Sequence, residues 1–193
     1  MNVLRKYYGK NICFYYYGVD HLVVNLYKYI KQNLENNICI YLYINKSVYD
    51  MLMNNLDENE KKMIYLVNIE KEILNVGTSC KDSVETNIKK IKKKALDNGY
   101  WGMSLIVDAS KILSNTCNSM YEEFLMTLSK TCSNEKMNIL TCYDFIDYME
   151  RGKYINENIM KLSYEFHTFR MFGNEIIPVE NFVLHDTTAY KRN

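Results

Sequence analysis

Asp108 is the first residue to weigh for chemistry, because it closes the apolar run Met103–Val107 (MSLIV). A carboxylate at the end of a buried strand is where many nucleotide hydrolases help to place Mg²⁺. It serves equally well as a cap for the next helix or as a loop anchor. Asp144 closes the run Met137–Tyr143 (MNILTCY) in the same way, with Tyr143 beside it. Asp20 and His21 follow the aromatic run Asn11–Tyr17 (NICFYYY), and His167 directly precedes Thr168–Phe172. If these runs are neighbouring strands, Asp20, His21, Asp108, Ser110, Tyr143 and Asp144 gather at one end of a sheet. His21 and His167 each stand beside a strand end and could border the same crevice, although a hydrogen-bonded structural histidine is the plainer reading of each. A small molecule would bind there, outside the carboxyl ends of the strands.

The chemistry that such a crevice most often performs lacks its main tool. A phosphate-gripping loop needs G-x-x-x-x-G-K-[ST] after the first strand, so that backbone N–H groups and a lysine surround the phosphates. The turn here reads Gly18-Val19-Asp20-His21-Leu22, with one glycine, no lysine and an aspartate that repels phosphate. Gly9-Lys10 precedes the strand, so it is in the wrong place. A dinucleotide fingerprint is equally absent. No G-x-S-x-G elbow accompanies the serines, and no pair of carboxylates is spaced for acid–base work. The 6 cysteines form no CxxC pair, and 3 histidines are too few to complete a zinc site. Cys13, Cys39 and Cys142 sit inside apolar runs and read as buried, reduced thiols. The sequence therefore implies neither catalysis nor a cofactor.

The elements that must position these residues follow from periodicity. Short apolar runs at Asn11–Tyr17, Ile38–Ile44, Met63–Val67, Met103–Val107 and Met137–Tyr143 read as strands. Between them, apolar residues recur at helical spacing. The first helix starts at Asp20, read as its N-cap, and ends near Glu35; a short one is opened by Ser47. Others cover about Lys81–Asn98, ending at Gly99, then Ser119–Cys132 and Ile159–Phe166. Residues 68–80 read as a loop with a short helix. Thr168–Phe172 and Glu175–Val179 form a closing hairpin turned at Gly173-Asn174. Strands alternating with helices predict an α/β fold with a mostly parallel central sheet flanked by helices on both faces. A C-terminal antiparallel hairpin lies at one edge.

A length of 193 residues suits one domain, expected over 1–183, with a polar tail at 184–193. Such a domain buries roughly 70% of its unfolded surface and needs no disulfide or metal staple. With 24 basic and 23 acidic side chains, the net charge of +1 gives no field toward nucleic acid or an anionic membrane. Lys89, Lys90, Lys92, Lys93 and Lys94 are the local exception, and the plainer reading is a solvated helix face. The opening MNVLRKYYGKN has no apolar stretch for a secretory signal, and Ile38–Ile44 is far short of a bilayer span, so a cytoplasmic protein is expected. Tyr7, Tyr8, Tyr15, Tyr16 and Tyr17 crowd the first strand, where core packing accounts for most of them.

The order of landmarks resembles the MEDS family, a sensory module of methanogen and methylotroph regulators. Gly9-Lys10-Asn11-Ile12-Cys13-Phe14-Tyr15-Tyr16 is similar to its opening H-I-C-x-x-Y segment, with Asn11 for histidine. Leu34-Glu35-Asn36-Asn37-Ile38-Cys39-Ile40-Tyr41-Leu42 looks like its helix end and second strand. Asn98-Gly99-Tyr100-Trp101-Gly102, leading to Asp108-Ala109-Ser110, is the next landmark. Leu140-Thr141-Cys142-Tyr143-Asp144 follows, close to the family's C-x-Y-D segment, with Thr141 at a cysteine position. His167 comes before the hairpin, followed by Thr168 rather than proline. The resemblance spans about residues 8–183. It implies a RecA/KaiC-like three-layer fold with decayed nucleotide machinery and a non-enzymatic sensory role. It also implies relay through a partner such as a histidine kinase or transcription regulator. The alternatives are a divergent RecA/KaiC-type ATPase using Asp108 for Mg²⁺, and a ligand-free adaptor or homodimer. Direct nucleic-acid binding ranks last.

Overall fold

The computed structural model describes residues 8–68, 80–134 and 137–179. Strand β1 (Asn11–Tyr16) leads into helix α1 (Gly18–Glu35), followed by β2 (Ile38–Tyr43), α2 (Lys46–Asn54), α3 (Glu58–Lys61) and β3 (Ile64–Leu66). Then come α4 (Cys80–Asp97), β4 (Gly102–Asp108), α5 (Ala109–Leu113), α6 (Asn118–Asn134) and β5 (Met137–Asp144). The chain closes with α7 (Phe145–Met149), α8 (Glu157–Phe166), β6 (Phe169–Phe172) and β7 (Glu175–Pro178). The strands form one 7-stranded sheet in the order β3-β2-β4-β5-β1-β6-β7.

Every pairing but the last is parallel. The closing hairpin is therefore only half antiparallel to the sheet. β6 runs parallel to β1, and β7 alone reverses. A crossover through α8 returns the chain to the starting end of the sheet, which makes β6 parallel before the Gly173-Asn174 turn sends β7 back.

β1, β2 and β4 are buried at every residue. Alternate side chains divide between two cores, so a strand covered on both faces reads as continuously apolar. Ile12, Phe14, Tyr16, Ile40, Leu42, Ile106 and Leu140 meet Leu22, Leu26 and Ile30 of α1 and Val48 and Leu52 of α2. Cys13, Tyr15, Tyr41, Leu105, Val107 and Ile139 meet Val84 and Ile88 of α4, Phe124 and Leu128 of α6 and Ile159 of α8. The cysteines at 13, 39, 132 and 142 are buried and free. Among the described residues no helix is long and apolar enough to cross a membrane.

Two expected caps fall elsewhere. Asp20 does not cap α1. Gly18, at φ +79, bends the chain from strand to helix, so the N-cap is Tyr17, three residues earlier, and Asp20 lies in the first turn. Ser47 lies inside α2, whose N-cap is Asn45. Three short helices go unannounced by apolar periodicity: α3, α5 and α7. Each is set by its cap. Asp57 and Glu60 form a reciprocal capping box on α3, while Asp108 and Asp144 cap α5 and α7. Lys89, Lys90, Lys93 and Lys94 of α4 are exposed and Lys92 is half-buried, as a solvated face requires. Residues 69–79 and the tail 184–193 lie outside the described residues.

Candidate functional site

The parallel registers bring the ends of β1, β5 and β4 side by side. Tyr16 pairs with Asp144, and Asp108 with Cys142, so the two aspartates end adjacent strands at nearly one level. Asp108 is 1% exposed. One carboxylate oxygen accepts the Ser110 N–H at 3.0 Å, and the other faces the Asn45 side-chain amide at 3.5 Å. Burial pushes the Asp108 carboxyl up to about 6, against the pull of the Ser110 and Lys111 N–H groups and with a push from Asp144. Asp144 is half-buried and accepts from Ile146 N at 3.0 Å and Asp147 N at 3.3 Å. Both aspartates are thus committed first to capping helices.

Lys111 is the cation nearest this rim in sequence. Its ammonium donates to the Ile44 carbonyl at 2.8 Å and lies 4.3 Å from the centre of the Tyr43 ring. Tyr16 is buried against the two carboxylates; burial, then the negative charges of Asp108 and Asp144, holds its phenol above the ordinary range. Cys142 lies within reach of the same field, and burial raises its thiol well above normal. Tyr16, Cys142 and Asn45 were not singled out for the crevice from sequence. Strand register could have found the first two, since Tyr16 ends β1 opposite Asp144.

The turn after β1 is filled by the protein itself. The Tyr17 N–H donates to His21 Nδ1 at 3.0 Å, so this turn amide is already satisfied. The His21 ring packs between Phe14 and Tyr17, with centroids 5.5 and 5.7 Å away. Ile146 of α7 lies over Gly18: a Cβ on that glycine would meet its Cδ1 at 3.7 Å. Phosphate-binding turns present several free amides around an open concavity. Here the His21 imidazole holds the Tyr17 amide, the exposed Ile146 side chain lies next to Gly18, and exposed Asp20 adds negative charge.

Of the residues expected in the crevice, Asp108, Ser110 and Asp144 meet at the rim, and Asp20 and His21 stand beside it on α1. Tyr143 lies beneath it. This side chain is fully buried, accepts from the Tyr121 hydroxyl at 3.1 Å and packs against Tyr15. His167 does not border the crevice. Thr168 N donates to the Asn11 carbonyl at 3.0 Å and Asn11 Nδ2 to the Phe166 carbonyl at 2.6 Å, which places His167 at the opposite end of β1. The physical reason is the parallel β6: a residue preceding it must lie where β1 starts. His167 is 3% exposed beneath α8, and its Nδ1–H donates to the Ser163 carbonyl at 2.8 Å. Burial lowers its pKa to about 4, so it is neutral and structural.

No family model matches the chain. No curated protein matches it either. Solved structures do. A KaiC-like protein of the archaeon Pyrococcus horikoshii is similar with a TM-score of 0.55 at 11% identity, covering 84% of this chain and 71% of that one. A second protein of the same archaeon gives 0.57 at 14% identity, covering 97% and 95%. The flagellar accessory protein FlaH of Methanocaldococcus jannaschii gives 0.48 at 12% identity over 88% and 75%, too distant to weigh. At these identities the likeness speaks of architecture alone. The chain has the mostly parallel, helix-flanked α/β fold of KaiC/RecA-like proteins.

Proposed function

We propose that this chain is a non-enzymatic sensory or regulatory domain of the MEDS kind. It binds a small molecule or a partner protein and relays that event through a change in its surface. The observation that carries this reading is the turn after β1, where His21 Nδ1 accepts a hydrogen bond from the Tyr17 N–H and Ile146 lies beside Gly18. A KaiC-like fold whose first turn has no lysine, one amide held by His21 and an exposed Asp20 keeps the scaffold without a grip on triphosphate. The use of Asp108 and Asp144 as helix caps supports it too, since both have structural work without a metal. Output would pass to a separate kinase or transcription regulator by shifting the balance between two surface arrangements.

A native mass spectrum of freshly purified protein is the direct test. The reading predicts either a retained metabolite or a species whose mass rises on titration with one. A clean apo mass that no metabolite extract alters would remove the ligand half of the proposal. The ATPase alternative draws only on the KaiC-like architecture and on Asp108 closing β4. It requires Mg·ATP to raise the melting temperature in a manner that Asp108→Asn abolishes.

A further inference from the structure

A cavity of about 220 Å³ lies away from the strand-end rim, between α1 and the β6–β7 hairpin. Asn25, Lys28 and Gln32, one helical turn apart along α1, form one wall. Asn174 at the hairpin tip faces them, and Met171 and Ile176 give an apolar floor. Asn25 is 7% exposed and its amide nitrogen is fixed on the His21 carbonyl at 2.8 Å, so that wall is anchored. Among the described residues the side chains of Lys28, Gln32 and Asn174 hold no hydrogen bond or ion pair. No carboxylate lines the space. A narrower extension runs beneath Asn33 toward Ile38 and Asn138, sharing Gln32 and Ile176. The volume is that of about seven waters, which suits a small metabolite.

We infer that this groove is the ligand site of the domain and that it takes a small organic carboxylate with an apolar body. One cation beside the Gln32 and Asn174 amides suits a single carboxylate, and the Met171–Ile176 floor suits a hydrocarbon portion. A phosphate would leave that floor idle. The inference rests on the sensory reading for its purpose, and it moves the site from the rim to the flank of α1. Asn25 and His21 join the two places: the groove wall is bonded to the His21 carbonyl, and the His21 ring holds the turn after β1. A ligand gripping Lys28 and Asn174 would tie the hairpin to α1 and bear on that turn.

The test is a titration of ¹⁵N-labelled full chain with hexanoate, followed by two-dimensional NMR, with hexanol and inorganic phosphate as separate arms. Saturable shifts at both Asn25–Gln32 and Gly173–Ile176, with a dissociation constant of about 1 mM or tighter, are expected for hexanoate alone. Lys28→Glu and Asn174→Asp should each weaken it roughly tenfold or more while circular dichroism stays unchanged. Equal binding of hexanol or phosphate, or shifts that survive both substitutions, would overturn the assignment. So would the absence of saturable shifts. A metabolite found by native mass spectrometry that instead moves Tyr17–His21 and Asp108–Ser110 would refute the groove while leaving the sensory reading intact.

Discussion

Asp108→Asn should make the protein more stable at neutral pH, and the gain should vanish in acid. Asp108 is 1% exposed, and burial lifts its carboxyl from the ordinary 3.8 to about 6. A pKa raised in the folded state means that the fold binds the proton more tightly than the unfolded chain does. Its benefit is therefore complete below about 3.8 and is lost as pH rises through about 6. Carrying the ionised carboxylate at about pH 7.5 then costs on the order of 3 kcal/mol relative to acid. Asparagine removes the charge and keeps an oxygen to accept the Ser110 N–H, while Asn45 can turn its own oxygen toward the new amide. A gain of about 1–3 kcal/mol at about pH 7.5 is expected, shrinking to nothing near pH 4. His167 works in the other direction. Its pKa falls from 6.5 to about 4, so the stability it supports is present above 6.5 and is lost as pH drops toward 4. The two effects offset each other in the native chain, and Asp108→Asn should expose a steep acid loss between about pH 6.5 and 4. Urea denaturation followed by circular dichroism measures this; Trp101, 57% exposed, is a poor fluorescence reporter. A variant less stable than wild type at every pH would refute the reasoning and make the carboxylate a required anion.

Other consequences are simpler to check. Leu128→Ala, on α6 at 0% exposure, should cost about 2–5 kcal/mol of unfolding free energy, read by urea denaturation. Gly152→Ala should also destabilise, by about 1–3 kcal/mol, because a Cβ there overlaps the Asp147 carboxylate and lies 2.6 Å from the Asp147 carbonyl oxygen. The damage should spread to the loop that Asp147 holds through the Lys153, Tyr154 and Ile155 N–H groups, read as faster amide exchange there. Of the described cysteines, Cys117 is exposed and its thiol is held low by the Ser119 hydroxyl, so it should alkylate quickly in native protein; Cys13, Cys39, Cys132 and Cys142 should react only on unfolding. Peptide mapping by mass spectrometry decides it.

The strands were legible because a sheet covered on both faces leaves continuous apolar runs, as in Ile38–Tyr43 and Gly102–Asp108. The short helices α5 and α7 were not, since a single turn held by an aspartate cap has no periodicity to read. The cap reading of Asp108 holds in the structure, whereas Asp144 drew notice only as a crevice residue and proves to be a cap as well. The structural reading of His167 fits its buried bond to the Ser163 carbonyl, while its place in the crevice does not hold, because sequence order near a strand says nothing about which end of the sheet that strand enters. The direction of β6 is decided by the α8 crossover and its pairing with β1. The lack of a phosphate loop was visible in Gly18–Leu22. Its neighbour Ile146 was not, being far away in sequence and brought beside Gly18 by the β5–β1 pairing.

Calorimetric titration of the full chain with Mg·ATP tests most directly whether the turn after β1 is a nucleotide site. Heat indistinguishable from dilution at millimolar nucleotide is predicted, for wild type and Asp108→Asn alike. Saturable heat that Asp108→Asn removes, with a crystal showing Ile146 swung away from Gly18 to admit the phosphates, would contradict it.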